Sequence, residues 1–169
     1  QLRERVTLLH EKTGSPAIAE QYIEGRELYV SVMGNERLEV LPIRELVFDK
    51  VAVDLPRMAT YKVKWDDEYR ARWGIAYQFA RNLPNGSADR IVKLCKRAYR
   101  ILDLSGYARF DLRLTVDNHI YVIEANPNPA IATDDEFALS AEKAGSNYAD
   151  LLQRVLNLGL AAHRAVNAL

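Results

Sequence analysis

Residues 107–129 constrain the fold of this chain more than any other stretch, because they read YARFDLRLTVDNHIYVIEANPNP. Two apolar-rich runs flank Asp117-Asn118, and we interpret them as the strands of a β-hairpin with a two-residue turn. Directly facing residues of a hairpin point to the same side of the sheet. One side therefore carries two facing pairs, which are Asp111 with Glu124 and Arg109 with Asn126.

The opposite side of the predicted hairpin is apolar and is expected to face the core. Its members are Phe110, Leu112, Leu114, Tyr121, Ile123 and Ala125. The pairing depends on the length of the turn, because a slip of one residue moves a whole strand to the other face. A four-residue turn with the same centre keeps the pairing, whereas a three-residue turn would place the two acids on opposite faces.

The polar block needs a chemical explanation, because two facing carboxylates repel each other. A hard divalent cation would turn that repulsion into a binding site, since Mg²⁺ takes carboxylate and amide oxygens together with phosphates. The alternative is a solvated strand face with an arginine–glutamate ion pair. Pro127 and Pro129 favour the site, because they stiffen the exit from the strand and hold Asn126 and Asn128 in place.

The rest of the chain predicts an α+β fold, in which helices cover an antiparallel sheet. We expect one domain over residues 1–169, and the opening QLRERVTLLHEKTG suggests a piece of a longer protein. Residues 49–61 are predicted to form a loop and residues 62–65 a short strand, which a helical turn and then a loop to Pro84 are expected to follow. Helices are predicted within residues 2–14, 87–106 and 137–145, and after Asn147, with β structure within residues 15–48.

Composition excludes several classes of protein. The 23 basic and 23 acidic residues give no net charge, so no bulk field attracts nucleic acid or an anionic membrane. No apolar run approaches the roughly 20 residues of a membrane span, and the sequence does not open with a signal peptide. The single cysteine, Cys95, fits a reducing compartment and a cytoplasmic protein. Because Cys95 lies on the apolar stripe of its helix, we interpret it as a small core residue.

The motif R-x-D at residues 109–111, followed by E-A-N-P-N-P at residues 124–129, resembles the C-terminal part of ATP-grasp enzymes. The similarity is to the D-alanine–D-alanine ligase family in particular. Residues 17–30 (AIAEQYIEGRELYV) resemble the strand of that family that binds adenine and ribose. Tyr61-Lys62 resembles its triphosphate-loop lysine, and residues 144–160 resemble its closing helix. The fold implied is an incomplete ATP-grasp fold, namely its C-terminal lobe.

The resemblance implies a ligase that uses ATP to convert a carboxylate into an acyl phosphate, which an amine or thiol then attacks. Phosphoryl transfer needs positioning and charge neutralisation rather than a protein nucleophile. Asp111, Glu124 and Asn126 would bind Mg²⁺ or Mn²⁺, and Arg109 would stabilise the acyl phosphate. The implied nucleotide ligands are Glu20, Tyr22 and Ile23 at the adenine, Glu27 at the ribose, Lys62 (with Lys64 as a weaker candidate) at the phosphates, and Asn128 in the same loop.

The sequence also departs from the family. No glycine-rich loop precedes Glu20, so we expect an N-terminal lobe of the same protein to complete the site and the isolated chain to be inactive. Ala130 stands where D-alanine ligases have glycine. The acids at residues 134–136 either suit a cationic or amine-bearing substrate or cap the next helix, and we favour the cap. A homodimer and a non-catalytic nucleotide-binding or assembly module both stay open.

Overall fold

The structure is a computed structural model that describes residues 1–52 and 55–166. The elements in chain order are α1 (Leu2–Thr13), β1 (Arg26–Met33), β2 (Glu39–Val40), β3 (Arg44–Phe48), α2 (Tyr61–Trp65), α3 (Asp67–Trp73), β4 (Ile75–Phe79), α4 (Ser87–Ile101), β5 (Tyr107–Leu114), β6 (Ile120–Asn126), α5 (Glu136–Lys143) and α6 (Tyr148–Val166). The strands form one antiparallel sheet with the order β4-β3-β1-β5-β6, and β2 pairs with the end of β1. The α+β class and the antiparallel sheet are thereby confirmed.

The main core lies between one face of the sheet and α4. The central strands β1 and β5 pair along their whole length, and their alternate residues turn apolar side chains to this face. Cys95 is fully buried here, as predicted for a core residue. Burial also raises the pKa of its thiol to about 12, so the reactive thiolate is absent at neutral pH. The buried members of this core include Leu28, Val30, Val32, Ile91, Tyr99, Phe110, Leu112 and Leu114.

The other face of the sheet is polar along its centre and is covered by helices only at its two ends. Strand positions Glu27, Tyr29 and Ser31 face Arg113, Asp111 and Arg109 in turn. Helices α2 and α3 pack on one end of this face, and α5 and α6 pack on the other. A central strip of charged side chains is thus left between two apolar clusters.

The β5–β6 hairpin has the predicted pairing of the acids but reaches it by a different route. Asp111 faces Glu124 and Arg109 faces Asn126, as predicted. The two-residue turn was wrong, because Thr115 and His119 bond to each other and Asn118 adopts a left-handed conformation (φ 64°). That geometry is a three-residue loop. A bulge in β6 beside Asp111 supplies one extra residue and restores the register.

The bulge also corrects the predicted core face of β6. Residues before the bulge are shifted by one position relative to the prediction, so that Leu112 pairs with Val122 and Arg113 pairs with Tyr121. Tyr121 and Ile123 were predicted in the core, but their side chains are 44% and 56% exposed. Tyr121 therefore shares the polar face with Arg113.

The segment before α4 was predicted wrongly. Residues 62–65 belong to helix α2, not to a strand, and the side chain of Thr60 caps this helix by accepting a hydrogen bond from the Val63 amide. Helix α3 follows where a helical turn was expected, and strand β4 lies where loop was predicted. The loop over residues 49–61 is confirmed up to Thr60, since those of its residues that are described form neither helix nor strand. Val53 and Asp54 lie outside the described residues, as do residues 167–169 of the predicted domain.

Across residues 1–52 and 55–166, no helix combines the length and the apolar character needed to cross a bilayer.

Candidate functional site

The predicted metal ligands lie together on the polar face of the β5–β6 hairpin. Asp111 is buried, at 8% exposure, and directly faces Glu124, which is open to solvent. Asn126 ends β6, and its side-chain oxygen accepts a hydrogen bond from the backbone amide of Asn128 at 2.9 Å. Two carboxylates and an amide oxygen on one sheet face are the donors that a hard cation takes.

Arg109 holds the buried carboxylate of Asp111 in a fork. Its Nε and Nη2 atoms donate to the two Asp111 oxygens at 2.8 and 3.1 Å, and its guanidinium lies 5.2 Å from the centre of the Tyr29 ring. Burial raises the pKa of Asp111, and repulsion from Glu124 adds to the increase although the Arg109 bonds oppose it. The surroundings of Asp111 therefore disfavour its ionised carboxylate, and a bound cation would stabilise that charge.

Next to these ligands lies a cavity of about 550 Å³ between β5–β6 and the extended segment before β1. Lys64 lines it, whereas Lys62 points elsewhere, with its Nζ 5.7 Å from the centre of the Tyr69 ring. The structure thus brings the weaker lysine candidate to the site. The other lining residues include Glu20, Gln21, Tyr22, Ile23, Glu27, Met58, Asp111, Arg113, Tyr121, Ile123 and Glu124.

Glu27 forms the floor of this cavity and is largely engaged by other groups. Its carboxylate accepts hydrogen bonds from the Tyr29 hydroxyl at 2.7 Å and the Ala59 amide at 3.2 Å. Arg113 lies 3.0 Å away as its ion-pair partner, and also donates to the backbone oxygens of Gly25 and Arg57. Burial of the Tyr29 hydroxyl, together with the neighbouring negative charge of Glu27, raises the pKa of Tyr29, which therefore stays a hydrogen-bond donor.

The segment predicted to bind adenine lines the same cavity from the solvent side. Glu20 and Tyr22 are exposed and Ile23 is half-buried. The hydroxyl of Tyr22 accepts a hydrogen bond from the Arg57 amide at 3.1 Å, and its ring lies 5.5 Å from the Arg113 guanidinium. These contacts fix the Tyr22 ring beside the cavity.

The loop after β6 contains the remaining predicted residues. Asn128 is exposed and its side-chain oxygen accepts a bond from the Tyr107 hydroxyl at 2.8 Å. Asp135 occupies the N-cap position of α5, but its carboxylate bonds the Ala132 amide instead of an amide of the helix. An acid therefore stands at the N-cap, as preferred from the sequence, but its side chain makes no capping hydrogen bond to the helix.

The sequence interpretation missed Glu136, which is the first residue of α5 and whose side chain is only 18% exposed. Its carboxylate lies 3.8 Å from Nη1 of Arg109. No spacing signal could have singled it out among three consecutive acids. Only the docking of α5 beside β1 and β5 separates Glu136 from its exposed neighbour Asp134.

The donor set depends on more than acidic side chains. Within the described part of the chain, no group of three His, Cys, Asp or Glu side chains is arranged to hold a metal ion. A cation here would use Asp111, Glu124 and the Asn126 amide, with its other positions filled by water or phosphate oxygens, as is usual for Mg²⁺.

Comparison with known proteins points to one family. The sequence model described as "D-ala D-ala ligase C-terminus" matches residues 1–157. An uncharacterised protein of Sinorhizobium fredii, y4sG, is 30% identical over 97% of this chain and 46% of its own length. D-alanine–D-alanine ligase A of Salmonella typhimurium is 30% identical over 90% of this chain and 39% of its own length. The chain thus spans less than half the length of these relatives.

Solved structures share the fold. The D-alanine–D-alanine ligase of Bacillus anthracis complexed with ATP superposes with a TM-score of 0.73 at 22% identity, over 98% of this chain and 49% of that one. A second structure of a ligase from that organism gives a TM-score of 0.66 at 27% identity, over 86% of this chain and 43% of that one.

Proposed function

The chain belongs to the D-alanine–D-alanine ligase C-terminal family, and we propose that it forms one half of the site of an ATP-dependent carboxylate–amine ligase. The observation that carries the proposal is the placement of Arg109, Asp111 and Glu124 on one sheet face at the edge of a cavity. A protein that used this lobe only as a scaffold would not need facing carboxylates, because they destabilise a sheet in the absence of a cation.

Asp111, Glu124 and Asn126 are the residues that would hold Mg²⁺ or Mn²⁺. When bound, the ion would neutralise phosphate charge and relieve the repulsion between the two carboxylates. Arg109 is held beside them with a permanent positive charge, so it can stabilise the anionic acyl phosphate and the charge that follows amine attack. Lys64 would bind the nucleotide phosphates from the opposite wall of the cavity.

The other end of the cavity would take the nucleoside of ATP. Glu20 and the backbone at Tyr22 and Ile23 would read the adenine edge, because this segment belongs to no helix or strand and lines the cavity. A carboxylate can accept about four hydrogen bonds, and Glu27 already accepts two and also pairs with the Arg113 guanidinium. It therefore retains capacity for about one ribose hydroxyl.

The whole protein would bring carboxylate and amine substrates to this platform, and part of the site would come from the half of the relatives that this chain does not match. We place the activity in the cytoplasm, where ATP is available and Cys95 stays reduced. The acids before α5 and Ala130 leave the identity of the amine open. The isolated 169 residues are expected to be inactive.

The test compares wild-type protein with Glu124→Gln in the whole protein, with ATP hydrolysis and ligation measured against a panel of amines. Glu124→Gln should lower turnover at least a hundredfold, whereas Glu36→Gln, which removes a charge from the exposed β1–β2 turn, should have no effect. Equal and Mg²⁺-independent inertness of wild type and Glu124→Gln would favour a non-catalytic module instead.

A further inference from the structure

Arg109 lies between two carboxylates that it does not bond equally. Its two bonds to Asp111 measure 2.8 and 3.1 Å, whereas its distance to the Glu136 carboxylate is 3.8 Å. The second distance allows electrostatic attraction but is too long for a hydrogen bond. In this state the guanidinium is therefore committed to Asp111.

Glu136 is placed to attract positive charge, and its position does more than cap a helix. It lies in the first turn of α5, where an acid is favourable, but its side chain is turned inward and is mostly buried. Its negative charge favours the protonated forms of Arg109, Arg44 and Tyr77 and so acts to raise their pKa values. Arg44 is also buried, and its Nε atom has no hydrogen-bond partner among the described residues.

The two roles of Asp111 compete with each other. An oxygen of Asp111 that binds a cation gives up part of its negative charge, so its bonds to Arg109 weaken. A mostly buried guanidinium that loses its carboxylate is costly, because breaking a buried pair leaves a charge without compensation. A second carboxylate close to Arg109 would lower that cost.

We propose that Glu136 is a positioning residue that holds the Arg109 guanidinium when Asp111 engages a divalent cation. This inference rests on the proposed function, because it requires the cation site on Asp111 and Glu124. Glu136 then makes cation binding and a correctly placed Arg109 compatible. The ion is bound more tightly because Arg109 does not have to be left unpaired.

The experiment measures Mg²⁺ affinity by calorimetry, with Mg²⁺ titrated into the whole protein in the presence of saturating ADP. Glu136→Gln should weaken Mg²⁺ binding about tenfold, an effect between those of exposed and buried ion pairs. Glu136→Asp should restore part of it. Asp134→Asn is the matched control, because Asp134 lies two residues before Glu136, carries the same charge and has an exposed side chain. This change should leave the Mg²⁺ affinity within about twofold of wild type.

A double-mutant cycle separates this role from a structural one. In an Arg109→Met background the Glu136→Gln change should no longer affect Mg²⁺ affinity, because Glu136 acts through Arg109. If Glu136 serves only to pair with Arg44, Glu136→Gln will lower the melting temperature without changing Mg²⁺ affinity, and the inference is overturned. Wild-type protein that fails to bind Mg²⁺ would refute the proposed metal site, whereas equal binding by wild type and Glu136→Gln refutes the role of Glu136 alone.

Discussion

Substituting Glu27 tests whether the floor of the cavity is a structural ion pair as well as a nucleotide contact. Glu27 is about nine-tenths buried, accepts hydrogen bonds from Tyr29 and Ala59, and forms an ion pair with Arg113. Arg113 is buried too, at 5% exposure. Glu27→Ala therefore removes the only carboxylate in ion-pair contact with Arg113 in the described residues.

The expected loss of stability follows from these contacts. Breaking a buried pair by removing one partner costs about 3–5 kcal/mol. Arg113 keeps two backbone oxygens as acceptors, from Gly25 and Arg57, so the lower end, about 3 kcal/mol, applies. For a chain of this size that free energy corresponds to a fall in melting temperature of roughly 6–12 °C. Glu27→Gln keeps an acceptor for Tyr29 and Ala59 and should lose about half as much.

The assay is urea unfolding, with thermal melting as a second measurement, in the absence of nucleotide. Glu20→Ala is the control, because Glu20 lines the same cavity but is exposed, and it should change stability by less than about 0.5 kcal/mol. A Glu27→Ala variant as stable as Glu20→Ala would show that the ion pair contributes nothing. Any loss of ATP affinity in that variant could then be assigned to the ribose contact directly.

Two further predictions concern a lysine and a cysteine. Lys64→Met should weaken nucleotide binding at least tenfold in a fluorescence titration, because Lys64 lines the cavity. Lys62→Met should not weaken it, because Lys62 is not among the lining residues. If only Lys62→Met weakens binding, the phosphate contact belongs to Lys62, as the sequence first suggested. Cys95 is fully buried, and the pKa of its thiol is raised to about 12. It should therefore react with a thiol reagent at pH 8 only as fast as the protein unfolds. Rapid labelling of the native protein would contradict the packing of α4.

The β5–β6 hairpin shows that the pairing of two strands can be predicted from sequence when the sheet face of each residue cannot. Two apolar-rich runs located both strands, and the acids do face each other. The prediction nevertheless contained two errors of one residue, a turn that was too short and an unseen bulge, which cancel at Asp111. They do not cancel on the turn side of the bulge, where Tyr121 lies on the polar face. A bulge has no strong composition signal in a strand without glycine, so only the fold reveals it.

The secondary-structure prediction for residues 61–79 was wrong for a different reason. Helices of five and seven residues are too short to display a helical period, and their side-chain caps are their clearest local signals. Thr60 and Asp66 provide those caps. This error in the type of element has a functional consequence, because the local structure decides which of two lysines reaches the cavity.

The charges on the polar face explain why a bound cation would increase the stability of this domain. Because burial raises the pKa of Asp111, the ionised carboxylate costs folding free energy at every pH above that raised value. Stability therefore falls as the pH rises through the interval between the unfolded and folded pKa values of Asp111. A cation that binds Asp111 and Glu124 would reverse that loss, since a ligand that binds only the folded state stabilises it. The same side chains that weaken the empty sheet would thus couple its stability to occupation of the site.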